Sequence, residues 1–298
     1  MKYRPLGTTG ISTSVIGLGT HQFSGDWVKQ FSEEDVDQIL GAAKDAGINL
    51  IDTAECYGAS ETLIGKRLIR ERKDWIVATK FGHVYKDGKK VSAWRPGDVV
   101  EQLEASLKAL QTDYIDIYQF HSGSNEEFDT HGLWEELARQ VTLGKIRFLG
   151  ISVSHGLIKQ ADMRQLQQAK KVGAQVAELV YNRLERTSEE KAFPLCSEAQ
   201  LGVLARIPLA RGFLSGTYTP GAQFAEGDIR SKDGEDFNQK LLTETQEILR
   251  TEVPEGTPPA QWALAWCLKT SKVSSVLVGC KTPAQVVQNA AAANLSLE

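Results

Sequence analysis

The stretch INLIDTAECYGASETLIGKRLIRERKDWIVATKFG, residues 48–82, decides the fold. It opens on an apolar strand-like run, INLID. It passes through SETLIGKRLIR, whose apolar residues recur at helical spacing, and closes on a second β-branched run, WIVATK. Strand, helix and strand in that order imply parallel strands joined by a helical crossover. Both runs stop at polar groups: Asp52, with Tyr57 shortly after it, and Lys80. Charged residues are rarely buried unless paired. An Asp and a Lys emerging from two core strands therefore suggest one convergent site.

The same alternation runs outward in both directions. Upstream, SEEDVDQILGAAKDAG reads as a helix with Ser32 as N-cap and acidic residues in its first turn. Downstream, RPGDVVEQLEASLKAL is a helix with Val99, Leu103, Leu107 and Leu110 on one face, and IDIYQF is a strand that delivers His121. LWEELARQVTLG (helix) and IRFLGIS (strand) follow, then HGLIKQADMRQLQQAKKVG (one helix) and VAELVYN (strand). SEEKAFPLCSEAQ reads as one helix and VLARIPL as a strand. The last strand, VSSVLVG, lies between the helices PAQWALAWCLKT and PAQVVQNAAAANL. The N-terminal KYRPLGTTGISTSVIGLGT reads as a hairpin ending at Gly19.

Eight strand–helix units in roughly 280 residues fit an α/β fold, a (β/α)8 TIM barrel with an N-terminal β-hairpin, as one domain over residues 1–298. A doubly wound sheet is the structural alternative. It would normally carry a phosphate loop, yet no G-x-G-x-x-G follows the first strand and no P-loop appears.

Composition narrows the function. The 298 residues are 41% hydrophobic and 24% charged, ordinary for a globular enzyme. The net charge of −4 argues against a nucleic-acid partner, which usually meets a basic stripe. Cysteines 56, 196, 267 and 280 form no C-x-x-C and no zinc-spaced cluster, so free thiols in a reducing compartment and no metal are expected. No signal peptide or membrane span is visible, and a cytoplasmic location is expected.

Barrel enzymes carry their active sites at the C-terminal ends of the strands. On this reading Asp52 and Tyr57 follow the second barrel strand, Lys80 ends the third, His121 the fourth and Ser152 the fifth. A phenol near pKa ~10 exchanges protons poorly at neutral pH. A nearby ammonium should lower that value, a carboxylate should orient the ammonium, and a neutral imidazole can hold a carbonyl oxygen. Together they make a general acid/base suited to an oxygen on which negative charge develops.

At these residues the sequence resembles the aldo-keto reductase superfamily. LIDTAECYG with SETLIGKRL, IVATKFG, DYIDIYQFH, GKIRFLGIS, VYNRLER, PLARGFLSG and VLVGCKTPAQVVQN occur in family order across almost the whole chain. The resemblance implies hydride transfer between NADPH and an aldehyde or ketone, without a Rossmann domain. It makes Tyr57 the proton donor, Lys80 and Asp52 its tuning pair, and His121 the residue that orients the carbonyl. Thr20 is implied near the nicotinamide ribose, Ser152 and Glu178 near the carboxamide, and Arg206 beside the nicotinamide ring. Leu209, Gly212 and Leu214 would wrap the pyrophosphate. Gly279, Lys281, Gln285 and Asn289 would hold the adenosine end, with Lys281 favouring NADP over NAD.

The chain departs from the family pattern in three places. Ser152-Val153 replaces Ser-Asn, Glu178 replaces a Gln, and HSGSNEE replaces His-x-Pro-Asp. Substrate contacts are expected from His21, Trp27, His83, Tyr85 and Trp94 in strand-end loops. Loops around 22–31, 82–95 and 217–237, or a neighbouring subunit, are expected to close the pocket. Two rival readings stand beside carbonyl reduction. One is a cofactor-binding regulatory subunit on the same barrel, like the potassium-channel β-subunits. The other is a Schiff-base aldolase with Lys80 as nucleophile.

Overall fold

The computed structural model describes residues 1–25, 27–86 and 89–297. Strands β1 (Tyr3–Pro5) and β2 (Ser12–Ser14) pair antiparallel as a hairpin. β3 (Ile16–Gly19), β4 (Leu50–Asp52) and β5 (Ile76–Phe81) begin the barrel. A second hairpin, β6 (His83–Lys86) and β7 (Lys89–Ser92), follows β5. β8 (Ile115–His121), β9 (Ile146–Ser152), β10 (Ala174–Val180), β11 (Gly202–Arg206) and β12 (Ser275–Gly279) complete a closed ring of eight parallel strands.

The crossovers are helical. They use α1 (Glu33–Asp45), α2 (Ser60–Glu71), α3 (Pro96–Leu110), α4 (Asn125–Phe128), α5 (Leu133–Thr142) and α6 (His155–Lys159). They continue with α7 (Arg164–Gln168), α8 (Thr187–Lys191), α9 (Phe193–Glu198), α10 (Glu235–Glu252), α11 (Pro259–Leu268) and α12 (Pro283–Ala290). α1 starts on the expected cap: Ser32 accepts from the Asp35 amide, and Asp35 returns the bond to the Ser32 amide. The face of α3 bearing Val99, Leu103, Leu107 and Leu110 is buried, as its spacing implies.

The barrel interior is layered. Leu50, Ala78, Ile117, Val176, Leu204 and Leu277 form an apolar layer that the first hairpin seals with Leu6 and Ile11. Side chains in a strand return to the same face every second residue. Two residues on from the apolar layer stand Asp52, Lys80, Gln119, Glu178, Arg206 and Gly279. A polar layer thus lies directly on an apolar one, at the C-terminal mouth. Gly150 makes room for it, because a Cβ there would come within 2.9 Å of Gln119 Cγ.

Four details depart from expectation. The N-terminal hairpin ends at Ser14, not Gly19, because residues 16–19 leave β1 and pair with β12 and β4 instead. The helix expected over 155–173 is two short ones, broken where Ala161 adopts φ +60°. The helix expected over 188–200 restarts at Phe193, with Pro194 in its first turn, where a missing N–H is harmless. α10 and the β6–β7 hairpin were not foreseen. Only Asn238, Leu242, Thr245 and Ile248 of α10 are buried, and two of these are polar, so its apolar stripe is faint.

Candidate active site

The polar layer centres on Lys80. Its Nζ donates to both carboxylate oxygens of Asp52 at 2.7 Å and to the Thr53 carbonyl at 2.9 Å, and lies 3.4 Å from Glu178 Oε2. Gln119 Nε2 donates to both acids, at 3.3 Å to Asp52 and 3.0 Å to Glu178. Ser152 Oγ donates to the other Glu178 oxygen at 3.2 Å, and Arg206 Nε lies 3.7 Å from it. Asp52, Lys80, Gln119 and Glu178 are all buried. Thr20 holds the end of β4, with amide and hydroxyl both donating to the Asp52 carbonyl.

Tyr57 covers this layer. Lys80 Nζ lies 5.2 Å from its ring centroid, and the rings of His21 and His121 flank it at 4.7 and 5.9 Å. Burial raises the phenol above its ordinary range; Lys80 opposes this, and the Asp52 and Glu178 charges reinforce it. Lys80 itself pulls the phenol toward acidity, as expected, yet the net shift is upward. The lysine brings two carboxylates with it, and their charge and the burial outweigh its own.

The remaining groups follow from the same balance. Burial opposes the charge on Lys80, but Asp52 and Glu178 more than offset it and hold the ammonium above its ordinary range. Burial, and next the Glu178 charge, push Asp52 up to about 8 against the pull of Lys80. Glu178, despite its burial, is held below its ordinary range by Lys80 and Arg206. Burial and Lys80 drive His121 well below its ordinary range, so its imidazole is neutral. Its Nδ1 lies 3.6 Å from Cys56 Sγ. Burial raises the Cys56 thiol, so the sulfur keeps its proton. With the thiol as donor across that contact, the imidazole proton stands on Nε2.

The other expected residues sort by place. His83 stacks edge-on against His121 at 5.4 Å and against Trp94 at 5.2 Å. Trp94 is buried on Phe120 and on Gly82. Tyr85 stands exposed on the β6–β7 hairpin. Trp27 Nε1 donates to His21 Nδ1 at 3.3 Å. Two of the three loops expected over the pocket meet, where Trp27 bridges to Asp228. Asp26, Asp87 and Gly88 of those loops lie outside the described residues, as does Glu298.

The residues expected to hold a dinucleotide run from β3 and β12 at the barrel mouth to α12. Gly279 and Gly19 are register partners, and Gln22 packs where a Gly279 side chain would stand. Ala210, Arg211 and Gly212 are successive left-handed residues after β11, conformations that cluster at ligand sites. Leu209 is partly buried, whereas Leu214 is fully buried in a satellite core with Phe213, Leu242 and Trp262. At the far end Lys281 Nζ donates to the Trp27 carbonyl at 3.3 Å, and Lys29 Nζ to the Lys281 carbonyl at 3.2 Å. Burial and the Arg230 charge lower the Lys281 ammonium. Gln285 Oε1 accepts from the Lys281 amide at 2.7 Å, and Asn289 Nδ2 donates to Cys280 Sγ at 3.3 Å.

Gln119 is the one residue of the polar layer that the sequence reading passed over. Stepping back two residues along the strand from His121 finds it, as stepping on two from Ile117 does.

Comparison with known proteins places the chain in a family. The aldo/keto reductase family model matches residues 15–298. YqkF of Bacillus subtilis (strain 168), called an uncharacterized oxidoreductase, is 32% identical over 99% of this chain and 92% of that protein. The NADH-specific methylglyoxal reductase of Escherichia coli (strain K12) is 32% identical over 100% of this chain and 95% of its own. The holo form of aldo-keto reductase AKR11C1 from Bacillus halodurans superposes with a TM-score of 0.81 at 30% identity, covering 99% of this chain and 92% of its own. The glycerol dehydrogenase AKR11B4 from Gluconobacter oxydans gives 0.83 at 28% identity, covering 99% and 91%. On its sequence and its barrel alike, the chain belongs to the aldo/keto reductase family, oxidoreductases that act on carbonyl groups with a nicotinamide cofactor.

Proposed function

We propose that this chain reduces an aldehyde or ketone to the alcohol, with NADPH preferred to NADH. The observation that carries the reading is Tyr57, a protonated phenol set over the buried Lys80–Asp52 pair and beside a neutral imidazole.

The residues present fit a dinucleotide. Arg206 Nε is buried without a hydrogen-bond partner beside Ser152 and Glu178. Gly19 and Gly279 are register partners at the mouth, where the flexible Gln22 side chain packs over Gly279. Lys29, Lys281 and Arg230 gather at the far end with Asp35 and Asp228 as their acidic neighbours, a surplus of cations suited to a phosphate. Ser152, Glu178 and Arg206 would face the nicotinamide. Leu209, Gly212 and the backbone of Leu214 would line the pyrophosphate. Gly279, Lys281, Gln285 and Asn289 would surround the adenosine end.

When bound, the cofactor supplies a hydride to the carbonyl carbon. His121 Nε2–H holds the carbonyl oxygen in place. As the C=O π electrons move onto that oxygen, Tyr57 Oη gives it a proton, and the product is a neutral alcohol. Lys80 balances the charge left on the phenolate, and Asp52 keeps Lys80 charged and aimed. A Schiff-base role for Lys80 needs a free amine, and two carboxylates hold this ammonium protonated.

The test is turnover of a panel of small aldehydes and ketones with NADPH and with NADH, beside quenching of nucleotide fluorescence on binding. Binding with silence across the panel favours a regulatory subunit instead. The absence of binding would remove the proposal altogether.

A further inference from the structure

The polar layer holds one more acid than the proton-transfer reading uses. We infer that Glu178 is a second counter-ion of Lys80, a positioning residue whose charge holds the proton on Tyr57 and biases the site toward reduction. The inference rests on the reading of Tyr57 as the proton donor.

The geometry is that of one ammonium between two carboxylates. Nζ of Lys80 has three N–H directions, and Asp52, the Thr53 carbonyl and Glu178 surround it at 2.7, 2.9 and 3.4 Å. Gln119 spans both acids with a single amide nitrogen. This layer is shut off from water: the Lys80 side chain is 0% and that of Glu178 1% exposed. Arg206, the other cation near Glu178, is 22% exposed and 3.7 Å away, so solvent screens it more than Lys80. Among the charges near Tyr57, Lys80 acts most strongly, and Asp52 and Glu178 oppose it from two strands.

The groups facing Tyr57 all bear on its proton. Asp52 from β4, Lys80 from β5 and Glu178 from β10 act most directly, with Cys56 beside it in the same loop. His21 and His121 flank the ring. Behind them His83 and Lys90 of the second hairpin and Arg206 of β11 face His121, and Glu55 faces Cys56. Of these, Glu178 is the acid whose charge can be removed without unseating Lys80, because Asp52 keeps the shorter contacts.

Carbonyl reduction needs the phenol, and alcohol oxidation needs the phenolate as base. A second buried negative charge disfavours the phenolate. The site thus keeps its reductive form to higher pH than a Lys–Asp pair alone would allow.

The experiment is Glu178→Gln, which keeps shape and hydrogen bonding and removes the charge. The alkaline fall in reduction and the alkaline rise in oxidation should both move to lower pH by about one unit. Arg206→Met should move both limbs the other way, because it leaves Glu178 less neutralised. A second readout needs no turnover. Two acids on one ammonium retain a proton, so the wild-type infrared spectrum should show a carboxylic-acid band that titrates near about 8. Glu178→Gln should lose it. Limbs that stay in place in Glu178→Gln, even with weakened nucleotide binding, would reduce Glu178 to a cofactor contact and overturn the inference. Loss of the infrared band in a chain that reduces no carbonyl would sink the proposed function and leave the two-acid site standing.

Discussion

Replacing Tyr57 with phenylalanine removes one oxygen and leaves the ring against His21 and His121. Reduction should fall by roughly 10²–10⁴-fold, the scale of general acid catalysis. NADPH binding, read by fluorescence quenching, should stay within about twofold, because the ring still fills its place. Unchanged turnover in Tyr57→Phe would overturn the proposed chemistry. Lys281 is the matching residue at the proposed adenosine end of the cofactor site. Lys281→Ala should weaken NADPH by at least about tenfold and NADH much less, since a hydrogen bond to a charged group contributes roughly 1.5–3 kcal/mol. Equal losses for the two nucleotides would mean that the extra phosphate is read elsewhere. At this scale the sequence showed which residues bear the chemistry but not the balance among them. Burial sets the upward shift of Tyr57, and Glu178, which adds to it, comes from a strand far along the chain and reaches Lys80 only when the barrel closes.

Elements set the shape of the pocket, and the second hairpin is the clearest case. Gly82 joins β5 to β6 at φ +113°, and a Cβ there would stand 1.9 Å from the Trp94 ring. Trp94 in turn packs on Phe120 and His83. Gly82→Ala should therefore destabilise the chain by about 2–4 kcal/mol, combining a strained backbone with an overpacked ring. Urea unfolding measures this. In a Trp94→Ala background the same change should be less harmful, since only the backbone strain is left; equal losses in both backgrounds would remove Trp94 from the explanation. Legibility differed sharply among elements. Strands ending in Asp52, Lys80 and His121 were plain because continuous apolar runs stop at a charge or an imidazole. The β6–β7 hairpin is short and rich in exposed lysine, and the buried face of α10 is half polar, so neither carries a strong apolar period.

For the whole molecule, stability depends on acids enclosed between the barrel and its helices. Glu61, on α2, is buried against Thr79, whose hydroxyl donates to it at 2.6 Å. Burial above all pushes its carboxyl up to about 7. The folded state thus binds the proton more tightly than the unfolded chain, whose glutamate titrates near about 4.3. Stability contributed by this group is present at low pH, declines as pH rises toward about 7, and does not fall further above it. The amplitude is on the order of 3 kcal/mol. Glu61→Gln should flatten this slope when chemical unfolding is followed from pH 5 to 8, and an unchanged slope would place the titration on another group. The sequence by itself determined the strand–helix alternation, the cap of α1 and the acid/base residues at strand ends, because period, capping and burial act within a few residues. Only the tertiary structure decided that Asp52 and Glu178 share one lysine, that Gln119 spans them and that residues 16–19 belong to the barrel. Those contacts join distant strands, and their energies depend on distances that exist only once the ring has closed and water has been shut out.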